Sequence, residues 1–348
     1  MLDRLLARFR RDLALDLGTT TTLIGLVGEG VVVDEPSVVA VDRHSGKILS
    51  GGRAVGRLAR QMEGRTPESI HVVRPLKEGV IADFELCEAM LRPLLRKAQP
   101  PGSWAGPRVL VGVPGRITKV ERRAVFGSTL RAGAGRVWLI DQAKASAIGC
   151  GLPLAEPLAS MVCDIGGGTT EVALLSMSDT VAAESIRAGG DSMDADVVAY
   201  LRRHYSLKIG LPAAERLRLE AGSAWPLPEE RSVEVAGLDA VSGQPRSATL
   251  TSEEVRQALL ESLESIVEAV RAVLDRCGPE LAADAVRRGM VLCGGGSLTP
   301  GIDRYLSEHT GVPCRLAPRP REASVEGMLI ALEQFDRWRA ALQSSDDG

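Results

Sequence analysis

Apolar residues fall in short separate runs along this chain, and the spacing inside each run predicts its element. "LALDLGT" and "TLIGLVG" are two apolar runs around a glycine turn, which is the pattern of a β-hairpin. "VVVDEPSVVAVDR" continues as strands, and "RVLVGVP" and "RVWLI" read as buried strands. "ELCEAMLRPLLRKA" has a helical apolar period, "TKVERRAVFGSTLRAGA" is a second helix, and "QAKASAIGCG" is a small-residue helix. "PPGSWAGP" is a loop, and residues from about 45 to 75, rich in glycine and arginine, form a smaller unit. "SEEVRQALLESLESIVEAVRAVLDRCG" predicts one long helix, opened by a capping box from Thr251 to Glu254 and ended near Gly278. "GMVLCGGGSLTPGIDRYL" predicts a strand, a glycine turn and a helix. A last helix from about Val325 to Leu342 precedes a loose polar tail. Strands and helices alternate in two similar halves, so the expected class is α/β with an internal duplication.

The duplication is sharpest at two hairpins. "LALDLGTTTTLIGLV" at Leu13–Val27 is echoed by "VCDIGGGTTEVALL" at Val162–Leu175: apolar run, aspartate, glycine-threonine turn, apolar run. Glycine lets backbone amides approach phosphate oxygens, and threonine hydroxyls add donors. Asp16 and Asp164, each at a strand end, would repel phosphate directly. They suit a divalent cation and its waters, which is how Mg2+ is held beside phosphates. Two facing turns therefore imply a magnesium nucleotide in a cleft between two domains. A third turn, Gly294-Gly295-Gly296-Ser297, follows the strand "MVL" and suits the adenosine and phosphate region. No G-x-x-x-x-G-K-[ST] occurs, which excludes a P-loop protein.

Composition narrows the field. The chain has 348 residues, 45% hydrophobic, enough for two domains. A net charge of -3 and only 3% aromatics argue against a nucleic-acid partner. Six scattered cysteines without C-x-x-C spacing read as reduced cytosolic thiols, with Cys163 and Cys293 as core residues, and four unclustered histidines argue against a zinc site. No apolar run approaches the roughly 20 residues of a membrane span. The N-terminal "MLDRLLARFRRD" puts Leu2, Leu5, Leu6 and Phe9 on one helix face, with Arg4, Arg8 and Arg11 on another. That face suits either an anionic membrane surface or the protein's own core.

The order D-x-G-T, a helix with Q-A, D-I-G-G-G-T-T-E and G-G-G-S resembles the actin, heat-shock chaperone and sugar-kinase ATPase superfamily. Within it the chain is most similar to the bacterial actin family MreB. "DEPSVVAVD", "RPLKEGVIADFE", "VLVGVP", "VERRAVF", "AIGCGLPLAEPLASMVCDIGGGTTEVALLS", "PAAERLRLEAGSA" and "RGMVLCGGGSLTPGIDRYL" follow in that family's order over about residues 1 to 330.

The resemblance implies an actin-like (ribonuclease H-like) duplicated fold, with four subdomains around a nucleotide cleft. Its expected division is a membrane segment at 1–12, subdomain IA at 13–34, 79–150 and 322–342, and IB at 35–78. IIA follows at 151–187 and 262–321, IIB at 188–261, and a loose tail at 343–348. It implies ATP and Mg2+ as cofactors. It also implies slow ATP hydrolysis coupled to self-assembly into filaments, which lie on the inner face of the plasma membrane with membrane proteins of the elongation machinery.

By the same resemblance, Asp16, Gly18, Thr19, Thr20 and Thr21 form the first phosphate turn, and Asp164, Gly166, Gly167, Gly168 and Thr169 the second. Asp16 and Asp164 hold the metal. Glu215 and Arg218 stand around the adenosine, where the family has a glutamate and a lysine. Gly294, Gly295 and Gly296 line the adenine side, and Trp104 sits in the loop where that family often has apolar residues that dip into lipid, a position that equally suits a tryptophan capping the loop against the domain. The family's "EEP" or "DEP" is here Asp141-Gln142-Ala143, so the water-activating glutamate falls on Gln142: either Gln142 positions the attacking water with Thr169 and Asp164, or the protein binds ATP and barely hydrolyses it. A neutral amide orients water but accepts no proton. Two other filament roles, organelle positioning and DNA segregation, fit the same fold. A sugar kinase would need a catalytic aspartate motif that is not seen, and a chaperone-type ATPase would need a peptide-binding domain after the core.

Overall fold

The computed structural model describes residues 11–99, 106–115 and 117–344. The chain forms two compact units, residues 1–154 with 321–348, and residues 155–320.

The first unit is built on a six-stranded sheet. Its order is Gln343–Ser344, Arg136–Asp141, Arg108–Val113, Asp12–Leu17, Thr21–Leu26, Gly30–Pro36. The last three form an antiparallel meander, while Asp12–Leu17, Arg108–Val113 and Arg136–Asp141 run parallel. The second unit repeats this plan as Asp179–Ile186, Thr170–Ser176, Ser160–Ile165, Met290–Cys293, Cys314–Leu316. Again three antiparallel strands are followed by two parallel additions. The echo between the hairpins is thus the visible part of a duplicated five-strand topology.

Alternation along each strand decides what covers each face. In the first unit Leu13, Leu15, Ile24, Val109 and Val111 pack against Cys87, Met90, Leu91 and Leu94 of helix Phe84–Ala98. The opposite face carries Gly25 and Gly112, which meet Val325, Leu329 and Met328 of helix Ala323–Glu333. That helix crosses helix Gln142–Gly149 with backbones almost touching. A Cβ on Gly327 would sit 1.7 Å from the Ala145 carbonyl oxygen, and one on Gly149 would sit 1.9 Å from that of Ala323. In the second unit Met161, Cys163, Ile165, Val172 and Leu174 pack with Leu263, Ile266, Val270 and Val273 of helix Leu260–Arg276. Each unit also carries a small appendage. Strands Val39–Asp42 and Ile70–Val73, with helix Arg57–Met62, enclose Val38, Ala40, Ala54 and Ala59. Strands Leu207–Lys208, Ser232–Asp239 and Pro245–Thr251 make the other.

Four elements differ from the sequence expectation. The tail expected to be loose from residue 343 opens with a strand, Gln343–Ser344, whose pairing with Arg136–Asp141 ties it to the sheet edge. The long helix is two, Ser252–Ala258 and Leu260–Arg276, because the Leu259 amide is shared between the Val255 and Arg256 carbonyls and its ψ relaxes to -8°. The last helix stops at Glu333, where Gln334 leaves helical geometry (φ -107°, ψ 43°), and a short turn Phe335–Trp338 follows. There Phe335 packs edge-on against Trp138 at 5.1 Å, under the Arg108 guanidinium. The third glycine turn opens a 3-10 segment, Gly295–Leu298, and the α-helix waits until Ile302–Thr310. The Ser297 hydroxyl donates to the Gly294 carbonyl and holds that tighter turn. No helix among the described residues is long and apolar enough to cross a membrane.

Candidate functional site

In the first unit, parallel pairing brings the carboxyl ends of three strands side by side: Asp16 lies opposite Gly112, and Val113 opposite Asp141. Ligands of open α/β sheets bind beyond such ends. The first turn closes with the Gly18 amide donating to the Thr21 carbonyl at 3.2 Å, so that amide is spent on the hairpin. Ser37 pins the turn from outside. Its hydroxyl donates to the Gly18 carbonyl at 2.7 Å, it shares a hydrogen bond with Thr22 at 2.8 Å, and its amide donates to the Thr20 carbonyl. The Thr19 hydroxyl oxygen accepts from the Gly79 amide at 2.9 Å, and Arg74 reaches the Thr20 hydroxyl at 3.5 Å. Sequence reasoning gave Ser37, Arg74 and Gly79 no role, although two quoted resemblance segments, "DEPSVVAVD" and "RPLKEGVIADFE", contain them.

The second unit closes its turn the same way, Gly166 amide to Thr169 carbonyl at 2.8 Å. The amides of Gly167 and Gly168 make no hydrogen bond among the described residues and are the donors left for an anion. Beneath them, helix Gly190–Tyr205 docks its first amides on the turn: Gly190 donates to the Gly166 carbonyl and Asp191 to that of Gly167. Asp164 is buried and pairs across the sheet with Glu171 and Cys293. Gly294 presses on it. Its φ is +80°, and a Cβ there would lie 2.4 Å from an Asp164 carboxylate oxygen and 2.3 Å from the Ile165 carbonyl. Gly295 faces open space. The second turn and the glycine triplet therefore form one surface.

Arg218, on helix Leu211–Ala221, sits beside this surface, its guanidinium 3.3 Å from where a Cβ on Gly190 would be. It donates to Asp194 at 2.6 Å, and both side chains are nearly buried. Glu215 lies one turn away on the same helix and is partly buried. Asp194 was not foreseen.

Gln142 is the first residue of helix Gln142–Gly149, next to the sheet end that carries Asp16. Asp141 caps this helix, accepting from the amides of Ala143 and Lys144. Burial raises the Asp141 carboxyl above its ordinary 3.8, and the two amides oppose that only in part. A raised folded pKa means the stabilising contribution is complete below pH 3.8 and lost as pH rises through the folded value. Asp141→Asn keeps the capping oxygen and removes the partly buried charge. It will raise the melting temperature at pH 7, and the gain will vanish in melts run below pH 3.8, where the carboxyl is protonated in both states.

Cys163 and Cys293 are fully buried, and burial pushes the Cys163 thiol well above its ordinary 9.0, so it is a core residue rather than a nucleophile. The expected membrane residues Leu2, Leu5, Leu6, Phe9 and Trp104 lie outside the described residues.

Comparison with known proteins places this geometry. The chain is 47% identical over 337 residues to the cell shape-determining protein MreB of Escherichia coli (strain K12), covering 97% of each chain. It is 44% identical over 329 residues to the cell shape-determining protein Mbl of Bacillus cereus (strain ATCC 10987 / NRS 248), covering 94% of this chain and 98% of the relative. Crystal structures of MreB5 of Spiroplasma citri, bound to AMPPNP and bound to ADP, superpose with a TM-score of 0.89 at 34% identity, covering 95% of this chain and 98% of theirs. The fold is therefore the actin-like one. The MreB/Mbl protein family model matches residues 10–340, and the chain belongs to that family.

Proposed function

We propose that this protein is an actin-like, cell shape-determining filament subunit that binds ATP with Mg2+ through its two acidic glycine turns. One observation carries the reading. The same hairpin, closed by the same amide-to-carbonyl bond, stands at the same place in both copies of the duplicated sheet. The relatives support it: MreB5 binds AMPPNP and ADP, and MreB and Mbl are named for cell shape.

The residues present fit the ligand. In the second unit the open amides of Gly167 and Gly168 and the Thr169 hydroxyl can donate to phosphate oxygens, and in the first unit the hydroxyls of Thr19, Thr20 and Thr21 can do the same. Among the described residues no group of three or more acidic, histidine or cysteine side chains could hold a metal by itself. Asp16 and Asp164 would hold Mg2+ jointly with phosphate oxygens and water, and the cation would screen phosphate charge from both carboxylates. Gly294 and Gly295 offer a side-chain-free surface to the nucleoside, flanked by Arg218 and Glu215. Gln142, at the helix start, orients the attacking water with Thr169. As an amide it takes up no proton, so hydrolysis is slow. Heterologous, non-closing contacts between copies give filaments, and the arginine-backed N-terminal face lays them on an anionic membrane.

Electron microscopy of the purified protein on an anionic lipid monolayer tests the whole reading: filaments with ATP-Mg2+ and none without nucleotide. Asp164→Ala, which removes a metal ligand, will abolish them. Gln142→Ala filaments will release phosphate at least about tenfold more slowly than wild type. Unchanged release would remove Gln142 from the reaction, and an absence of filaments under every condition would remove the filament reading.

A further inference from the structure

Neither glycine turn contains a cation: the first reads Asp-Leu-Gly-Thr-Thr-Thr-Thr from Asp16, the second Asp-Ile-Gly-Gly-Gly-Thr-Thr-Glu from Asp164. A triphosphate carries about four negative charges, and two carboxylates stand beside these turns. One Mg2+ leaves most of that charge uncompensated, so a protein cation nearby would strengthen binding.

The structure supplies one at the first turn. Arg74 follows directly on strand Ile70–Val73, and its guanidinium reaches the Thr20 hydroxyl at 3.5 Å. The segment that carries it is fixed at several points. The Pro75 carbonyl accepts from the amides of Ala82 and Asp83 at 2.9 and 3.1 Å. Strands Leu76–Lys77 and Val80–Ile81 pair as a minimal hairpin, with Glu78 in the left-handed region at φ 51°. The hairpin delivers the Gly79 amide to the Thr19 hydroxyl oxygen at 2.9 Å. One short segment thus engages two consecutive threonines of the turn, with a backbone amide on Thr19 and a guanidinium on Thr20. Gly79 fixes the distance, and Arg74 brings the charge.

We propose that Arg74 is the side-chain cation of this site, binding the phosphate chain beyond the first phosphate. This rests on the nucleotide reading above. A guanidinium fork can bridge two phosphate oxygens or a phosphate oxygen and the Thr20 hydroxyl, which an ammonium cannot do in the same geometry. The charge arrives from the small appendage rather than from the sheet.

The test measures affinities of wild type, Arg74→Gln and Arg74→Lys for ATP, ADP and AMP with Mg2+, by competition against a fluorescent ATP analogue. Arg74→Gln will bind ATP about 10- to 100-fold more weakly, the worth of a charge-assisted hydrogen bond. Its AMP affinity will match that of wild type. Arg74→Lys will fall between, because charge is kept and the fork is lost. Circular dichroism and thermal melts of each variant confirm the fold. If wild type binds ATP and Arg74→Gln binds it equally well, the assignment is overturned and the nucleotide reading stands. An equal loss of AMP affinity would make the role structural and also overturn it. If wild type itself binds no ATP, the nucleotide reading falls and the Arg74 assignment with it.

Discussion

Gly327→Ala will destabilise the first unit by about 3–5 kcal/mol, at the top of the range for single substitutions. The added methyl carbon would sit 1.7 Å from the Ala145 carbonyl oxygen and 2.6 Å from its carbon, distances no rotamer can relieve. Helices Ala323–Glu333 and Gln142–Gly149 must move apart by more than 1 Å. The first of them carries Val325, Met328 and Leu329, which cover the sheet over Gly25 and Gly112. Separation opens that layer and loses packing along its length. The melting temperature of the unit will fall by about 10 °C. Amide hydrogen exchange will rise in residues 142–149 and stay unchanged in helix Leu260–Arg276 of the other unit. Gly149→Ala acts on the same crossing, where a Cβ meets the Ala323 carbonyl, so the two substitutions will be strongly non-additive. Wild-type exchange in 142–149 for Gly327→Ala would show that the crossing is not the constraint described.

Arg218→Met will cost about 3–5 kcal/mol in urea unfolding of the second unit. It leaves the Asp194 carboxylate, on a residue 5% exposed, without the guanidinium that donates to it at 2.6 Å. Removing one member of a buried ion pair costs far more than removing the pair whole. Arg218→Met with Asp194→Leu will therefore regain most of the lost stability. The pair also fixes helix Gly190–Tyr205 against helix Leu211–Ala221, and the former carries the second turn on its first amides. Nucleotide affinity measured beside stability separates the two roles. Recovery of stability without recovery of affinity in the double variant identifies Arg218 as a ligand contact as well as a structural one. A single variant as stable as wild type would refute the buried-pair argument.

The sequence announced the turns because their chemistry is local. Asp16 and Gly18, or Asp164 and Gly166, are two residues apart, and apolar strands frame each set. The alternation of strands and helices is local too, and so is the capping box at Thr251. The contacts that hold the turns in place are not local. Ser37 reaches Gly18 from 19 residues away, Arg218 reaches Asp194 over 24, Arg74 reaches Thr20 over 54, and Gly79 reaches Thr19 over 60. No periodicity marks a lone serine or arginine as the partner of a distant backbone. The helix breaks at Leu259 and Gln334 were equally silent. Neither residue is glycine or proline, and the apolar period runs on through both. The first break follows from the Leu259 amide shared between two carbonyls, and the second from the packing of Phe335 against Trp138. The glycine triplet misled for a related reason: strand–glycine–helix is a common order, and the 3-10 turn is held by the Ser297 hydroxyl on the Gly294 carbonyl and the Thr299 amide on the Gly296 carbonyl.

The division of the chain also bears on how the protein is made. The second unit is one uninterrupted stretch, while the first is begun by residues 11–154 and completed only when residues 321–344 arrive. On a ribosome, the sheet over Gly25 and Gly112 waits without its covering helix while some 170 further residues are synthesised. At about 5–20 residues per second that is a delay on the order of ten seconds. During that interval the nascent first unit presents an apolar sheet face without its covering helix, a surface open to aggregation until the last residues close it.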